Sequence, residues 1–261
     1  ETSAGPSTFS NLWNYGGWFP NGLWGFILSF QMVVFSFAGI ELVGLTAGET
    51  ENPKRVIPMA INNIPLRIIL FYVGALAIIM SIYPWVDVNP AQSPFVMVFQ
   101  AIGIVMAGSI VNFVVLTSAA SATNSGIFST SRMIYALAKR GHAPHSMRRL
   151  TNSHVPYQAT IFSAAVLLIT VVLNYIMPES VFVMITSIST FCFIYIWAVM
   201  IYCHMKYREK RSDLVKASTF KMPLYPVMNY LILAFFAFIL VVLALNEDTR
   251  IALLFTPVWF V

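Results

Sequence analysis

Residues 23–45, 65–85, 105–137, 157–177, 181–203 and 226–245 form six apolar runs, each 20 residues or longer. A bilayer core of about 30 Å is crossed by roughly 20 apolar residues in a helix, so every run is long enough to span one. Composition agrees. Of the 261 residues, 58% are hydrophobic and 10% charged, against about 25% charged in a soluble domain. So little charge cannot coat a soluble globule, and so much apolar side chain excludes disorder. The expected fold class is all-α and polytopic. The run at 105–137 exceeds one span and is expected to continue as helix into water, where Arg132, Lys139 and Arg140 are solvated. A seventh run, 251–261, reaches only about 16 Å as a helix.

The net charge of +5 takes its meaning from placement. Lys54, Arg55 and Arg67 lie between the first two spans. Arg132, Lys139, Arg140, Arg148 and Arg149 end the third or follow it, and six more cations from Lys206 to Lys221 separate the fifth from the sixth. Every Lys and Arg except Arg250 therefore falls on one side, which the positive-inside rule makes cytoplasmic. The charge is a topology signal and not a footprint for nucleic acid. Residues 1–22 become an external loop, with Trp13, Trp18 and Trp24 suited to an interfacial belt, and residues 23–261 a single transmembrane domain. With neither an initiator Met nor a signal-peptide pattern, the chain reads as an internal segment of a longer protein. The loop at 86–103, with Pro90 and Pro94, is external and is expected to hold a short helix.

No metal, cofactor or enzymatic chemistry is expected. Cys192 and Cys203 would stand roughly 16 Å apart on one helix, too far for a disulfide. The four histidines form no ligand spacing.

Two spans depart from plain apolar helix. In the first, Glu41 sits deep enough to cost at least about 2.5 kcal/mol if it faced lipid. Gly39 precedes it, and Gly44 and Gly48 follow. Either the helix unwinds near Gly39, frees carbonyls and turns Glu41 toward a cavity or partner, or a continuous helix packs its glycines against a neighbour. In the third, residues 117–131 are dominated by Ser, Thr, Ala, Asn and Gly. Thr117 and Ser121 share a face with Asn124 and Ser125, and Ser118 lies on a second face with Ala122 and Gly126. The run either packs closely, its hydroxyls bonded back to their own helix, or lines a polar cavity.

These residues carry a resemblance. Phe35-Ser36-Phe37-Ala38-Gly39-Ile40-Glu41-Leu42, with Ala47-Gly48-Glu49 and Asn52-Pro53-Lys54, resembles the sixth helix of amino-acid permeases of the amino acid–polyamine–organocation (APC) superfamily. Residues 112–134, around Asn124-Ser125-Gly126-Ile127-Phe128, resemble its eighth helix, and Arg67-Ile68-Ile69-Leu70-Phe71-Tyr72 its seventh. Together with Lys221-Met222-Pro223-Leu224 and Glu247-Asp248-Thr249-Arg250, they look most like the D-serine/D-alanine/glycine permease branch. Proline, histidine and aromatic permeases share much of the pattern and stand as alternatives.

The resemblance implies a LeuT-type fold with substrate at the midplane, where discontinuous helices meet. The chain would carry the second inverted repeat and following helices, without the first and fifth, so alone it is not expected to transport. The implied activity is proton-coupled import of D-alanine, D-serine, glycine or L-alanine across a bacterial cytoplasmic membrane. The substrate segment would be Phe35, Ser36, Phe37, Ala38, Gly39 and Ile40, with carbonyls near Phe35 and Ala38 accepting the ammonium group and Phe35 as gate. Glu41 would couple a proton. Thr117 and Ser118 match a stretch that supplies hydroxyls to a sodium site in some relatives, and Ser121, Asn124 and Ser125 would line the same cavity. A seven-helix receptor offers no reason for Gly39 beside Glu41, and no filter or pore-lining ring marks an ion channel.

Overall fold

The computed structural model describes residues 6–48, 50–88, 93–101, 103, 106–176, 178–246, 249, 250 and 253, and among these it contains helices and turns but no strand. Helix α1 (Gly22–Ser36) stops inside the first apolar run, and α2 (Leu42–Leu45) resumes it. Helix α3 (Pro53–Ile68), a π-helical stretch (Ile69–Gly74) and α4 (Ala75–Ile82) form one rod of 30 residues. Helix α5 (Pro94–Ala101) is a short helix in the loop where one was expected. Then come α6 (Ala107–Lys139), α7 (Tyr157–Ile176), α8 (Pro178–Lys210), α9 (Ser212–Ala217) and α10 (Val227–Leu245). Among the described residues, five helical stretches are long and apolar enough to cross a membrane. Apart from Leu253, the run at 251–261 lies outside the described residues.

The helix ends have local causes. The second span starts at Pro53 rather than 65, because proline suits the first helical position, where no N–H partner exists. Asn52, at φ 56°, turns the chain into it. Pro65 cannot donate to the helical ladder, and the π-helical stretch begins four residues later. Helix α6 runs 33 residues, past the bilayer as its length demanded. It ends in a Schellman motif: His142 N–H donates to Leu137 O at 2.9 Å and Gly141 N–H to Ala138 O at 3.1 Å. Gly141 takes φ 86°, which the motif requires. The Arg148 side chain then covers the Ala138 and Lys139 carbonyls.

The contacts divide the chain into two compact units, Glu1–Pro20 with Leu42–Val172 and Asn21–Glu41 with Leu173–Val261. In the first unit, the N-terminal segment is tied to α4. Asn11 Nδ2 donates to Ser81 O at 2.9 Å, and Trp85 Nε1 to Tyr15 O at 3.1 Å. Leu66, Leu70 and Phe71 are exposed along the α3–α4 rod, as lipid-facing residues should be.

In the second unit, α1, α8 and α10 pack around Val34, Ile194, Ile239 and Leu243, all buried. Phe30 meets Phe235 and Phe238 edge-on, with ring centroids 6.0 and 5.7 Å apart. Gln31 is buried one residue along and donates to Ser187 Oγ at 3.0 Å, joining α1 to α8.

In a bilayer, burial against protein gains nothing from leaving water. Packing and interhelical hydrogen bonds must hold the unit together. Ile239→Ala, at a wholly buried position, should therefore lower stability by about 1–3 kcal/mol through lost contacts and the cavity left behind. Leu231→Ala, at a position 58% exposed on the same helix, should change it by less than about 0.5 kcal/mol. Thermal unfolding of both variants in detergent checks the difference.

Candidate functional site at the broken helix

Helix α1 is 15 residues long, about 22 Å at 1.5 Å per residue and too short to span alone. It ends because Gly39 adopts φ 102°, a conformation open to glycine and strained for any residue with a side chain. The turn that follows satisfies its own backbone. Phe37 N–H donates to Val34 O at 3.1 Å, Ala38 N–H to Phe35 O at 3.0 Å and Ile40 N–H to Phe37 O at 3.3 Å. Of the two readings of Gly39 and Glu41, the structure adopts the broken helix.

The Gly39 N–H has a different partner, Glu41. Oε2 of its carboxylate accepts from Gly39 N–H at 3.2 Å and from Trp197 Nε1 at 3.3 Å. Glu41 is half-buried, as are Phe35, Phe37, Ala38 and Gly39, while Ser36 and Ile40 are exposed. The Ser36 hydroxyl donates to Val33 O at 2.7 Å. The carboxylate closes over the turn that Gly39 makes. Trp197 holds it from α8, its ring lying between Phe193 and Phe236 at 5.8 and 6.1 Å.

Nothing in the sequence marks Trp197, an aromatic residue in an apolar run with no local sign of a polar partner. Gln31 does carry a signal, since a glutamine in mid-span needs a partner.

The polar stretch of α6 belongs to the other unit. Thr117, Ser118, Ser121 and Asn124 are exposed within this chain and Ser125 half-exposed. Thr117 Oγ1 donates back to Phe113 O and Val114 O at 3.0 and 2.9 Å, and Ser125 Oγ to Ser121 O at 3.0 Å. These hydroxyls satisfy themselves on their own helix. What the structure gathers at the break is the 35–41 segment with Trp197.

The geometry makes two stability expectations. Gly39→Ala should cost about 1–3 kcal/mol, because alanine is strained at this positive φ. Trp197→Phe keeps an aromatic ring beside Phe193 and Phe236 but removes a donor from a carboxylate, and should cost about 1–3 kcal/mol. Thermal unfolding in detergent measures both, and a Gly39→Ala chain of unchanged stability would contradict the turn.

Comparison with known proteins gives this geometry its context. The family model described as "Amino acid permease" matches residues 1–261, the whole chain. The "Uncharacterized transporter YdgF" of Bacillus subtilis (strain 168) is 68% identical over 261 residues, 100% of this chain and 57% of that protein. The "Amino-acid permease AapA" of the same organism is 66% identical over 261 residues, 100% of this chain and 56% of its own length. The "D-serine/D-alanine/glycine transporter" of Escherichia coli (strain K12) is 49% identical over 257 residues, covering 98% of this chain and 55% of the relative. No solved structure matches the chain. The chain thus spans a little over half the length of these curated relatives. With its apolar spans, the glycine break and Glu41 in place, it belongs to the amino acid permease family, multi-pass proteins of the bacterial inner membrane with the LeuT-type fold.

Proposed function

We propose that this chain carries half of the substrate pathway of a proton-coupled importer of small neutral amino acids such as D-alanine, D-serine, glycine or L-alanine. The observation that carries the reading is the break after α1 with the Glu41 carboxylate folded over it. A helix C-terminus concentrates partial negative charge on its last carbonyls, so the end of α1 at Phe35 and Ser36 suits an ammonium group. Phe35, Phe37, Ala38, Gly39 and Ile40 form the adjoining wall, with Phe35 as gate. Within its own unit, the exposed α6 face with Thr117, Ser118, Ser121, Asn124 and Ser125 is proposed separately as cavity lining or a cation subsite. Relatives extend well beyond this chain, and the carboxylate end of the substrate is assigned to that further part.

Substrate class follows from charge and likeness. Glu41 is the one carboxylate that the described spans place away from their ends, and a cationic side chain would need another. The relative at 49% identity is a D-serine/D-alanine/glycine transporter, which favours small neutral substrates over proline, histidine or aromatic ones. Counterflow of labelled alanine with the whole transporter in liposomes, competed by a panel of L- and D-amino acids, tests the assignment. Glycine, D-alanine and D-serine should compete best, and stronger competition by lysine or arginine would overturn it.

Glu41 is proposed to carry the coupling proton. Glu41→Gln preserves shape and still accepts from Gly39 and Trp197, but it cannot ionise. Substrate exchange should survive within a few-fold, while pH-driven net uptake should fall at least about tenfold. If exchange and uptake fell together, Glu41 would only buttress the turn. Full pH dependence in the mutant would remove it from coupling.

A further inference from the structure

The proposed transport function leaves a second polar cluster unused. At the end of α8 a cavity of about 150 Å³ opens between the last turns of that helix, α9 and the segment leading to α10. Three basic side chains line it: His204, Arg208 and Lys221. Its remaining wall is largely apolar, with Leu214, Val215, Phe220 and Met222. A cavity needs about 10–15 Å³ of such volume per water, so this one has room for a polyatomic headgroup.

The basic groups are held in place. Arg208 lies over the Tyr225 ring, its guanidinium carbon 3.9 Å from the centroid. His204 meets the same ring edge-on at 5.8 Å. Its Nδ1 is bonded at 3.1 Å to Nδ2 of Asn229, which is wholly buried. With Nδ1 accepting, the neutral ring keeps its N–H at Nε2 as a donor. Lys221 Nζ donates to Lys216 O at 3.3 Å, which spans the mouth of α9 without neutralising the charge. Nearby carboxylates are engaged elsewhere: Glu209 pairs with Lys206 at 2.9 Å and Asp213 lies 3.9 Å from Arg211. Among the described residues, no carboxylate forms a salt bridge with Arg208 or Lys221.

We propose that this cavity binds the phosphodiester headgroup of an anionic phospholipid of the inner leaflet. Two basic side chains and an imidazole N–H supply charge and donors for the phosphate oxygens. The cluster sits where a span leaves the bilayer on the side that the positive-inside rule makes cytoplasmic, the usual place for basic pockets that hold lipid headgroups. The apolar wall favours a lipid over a soluble phosphate, since it can take the glycerol and first acyl carbons.

Native mass spectrometry of the purified full chain, titrated with dioleoyl phosphatidylglycerol or dioleoyl phosphatidylcholine, tests the site. Phosphatidylglycerol should be retained in preference. Arg208→Gln with Lys221→Gln should weaken that retention tenfold or more, about fivefold per cation removed. The charge-preserving pair Arg208→Lys with Lys221→Arg should keep it, which separates lost charge from lost folding. Lys54→Gln with Arg55→Gln, an equal change of charge at exposed positions outside the cavity, should leave it within twofold. Equal weakening by that Lys54 and Arg55 pair would reduce the effect to general surface charge and overturn the site. Equal retention of phosphatidylcholine would do the same, and displacement by equimolar glycerol phosphate would assign the cavity to a soluble anion instead.

Discussion

Hydrocarbon offers no partner for a backbone amide, and a helix can stop inside a membrane only if something in the protein replaces the lost ladder. Here the replacement is a carboxylate two residues away. Glu41 bends back to accept the Gly39 N–H, and Trp197 on α8 holds the same oxygen. The glycine and the glutamate are one device. Without a positive φ at Gly39 the helix would continue and carry Glu41 away from that amide. Without Glu41 the turn would leave an amide to be satisfied from elsewhere.

That device depends on how α1 is seated. Phe30, Gln31 and Val34 lie on one face of α1, three and four residues apart, and pack toward α8 and α10. Gln31 fixes the helix by bonding Ser187, a contact worth about 0.6 kcal/mol on average for interhelical bonds in a membrane. Trp197 packs against the same apolar cluster that buries Ile194. The side chain that orients the carboxylate thus belongs to the packing core, and a disturbance of that core would reach Glu41 through it. At the far end of α8, Asn229 on α10 bonds His204, so α8 is pinned by polar contacts toward both its ends, to α1 through Ser187 and to α10 through His204.

The long third helix and the break were legible in the sequence, because run length, glycine and a mid-span carboxylate are local signals with strong physical costs. The sequence was less informative about boundaries. Pro53 lies twelve residues before the second apolar run and yet opens its helix, since a proline closes the helix before it and suits the first turn of the helix after it. The partner of Glu41 was not legible at all. Trp197 stands 156 residues away, and nothing in the composition of its own run distinguishes it from a lipid-facing aromatic. The basic stretch at 206–221 was read as a topology signal alone, because charge position is visible in a sequence and the cavity that collects Arg208 and Lys221 is not.

The same contrast explains why polar residues in spans differ in what they disclose. Serine and threonine can return their hydroxyl to a carbonyl three or four residues back, as Thr117, Ser125 and Thr130 do. They are therefore tolerated whether a face meets lipid, protein or water, and a run of them leaves its surroundings open. Glutamine, asparagine and glutamate reach beyond their own turn and are costly until something meets them. Gln31 found Ser187, Asn229 found His204 and Glu41 found Trp197. In each case the longer polar side chain marks a place where two parts of the chain must meet. Rank order by reach, rather than by polarity alone, is what would have pointed from the sequence to the centre of this unit.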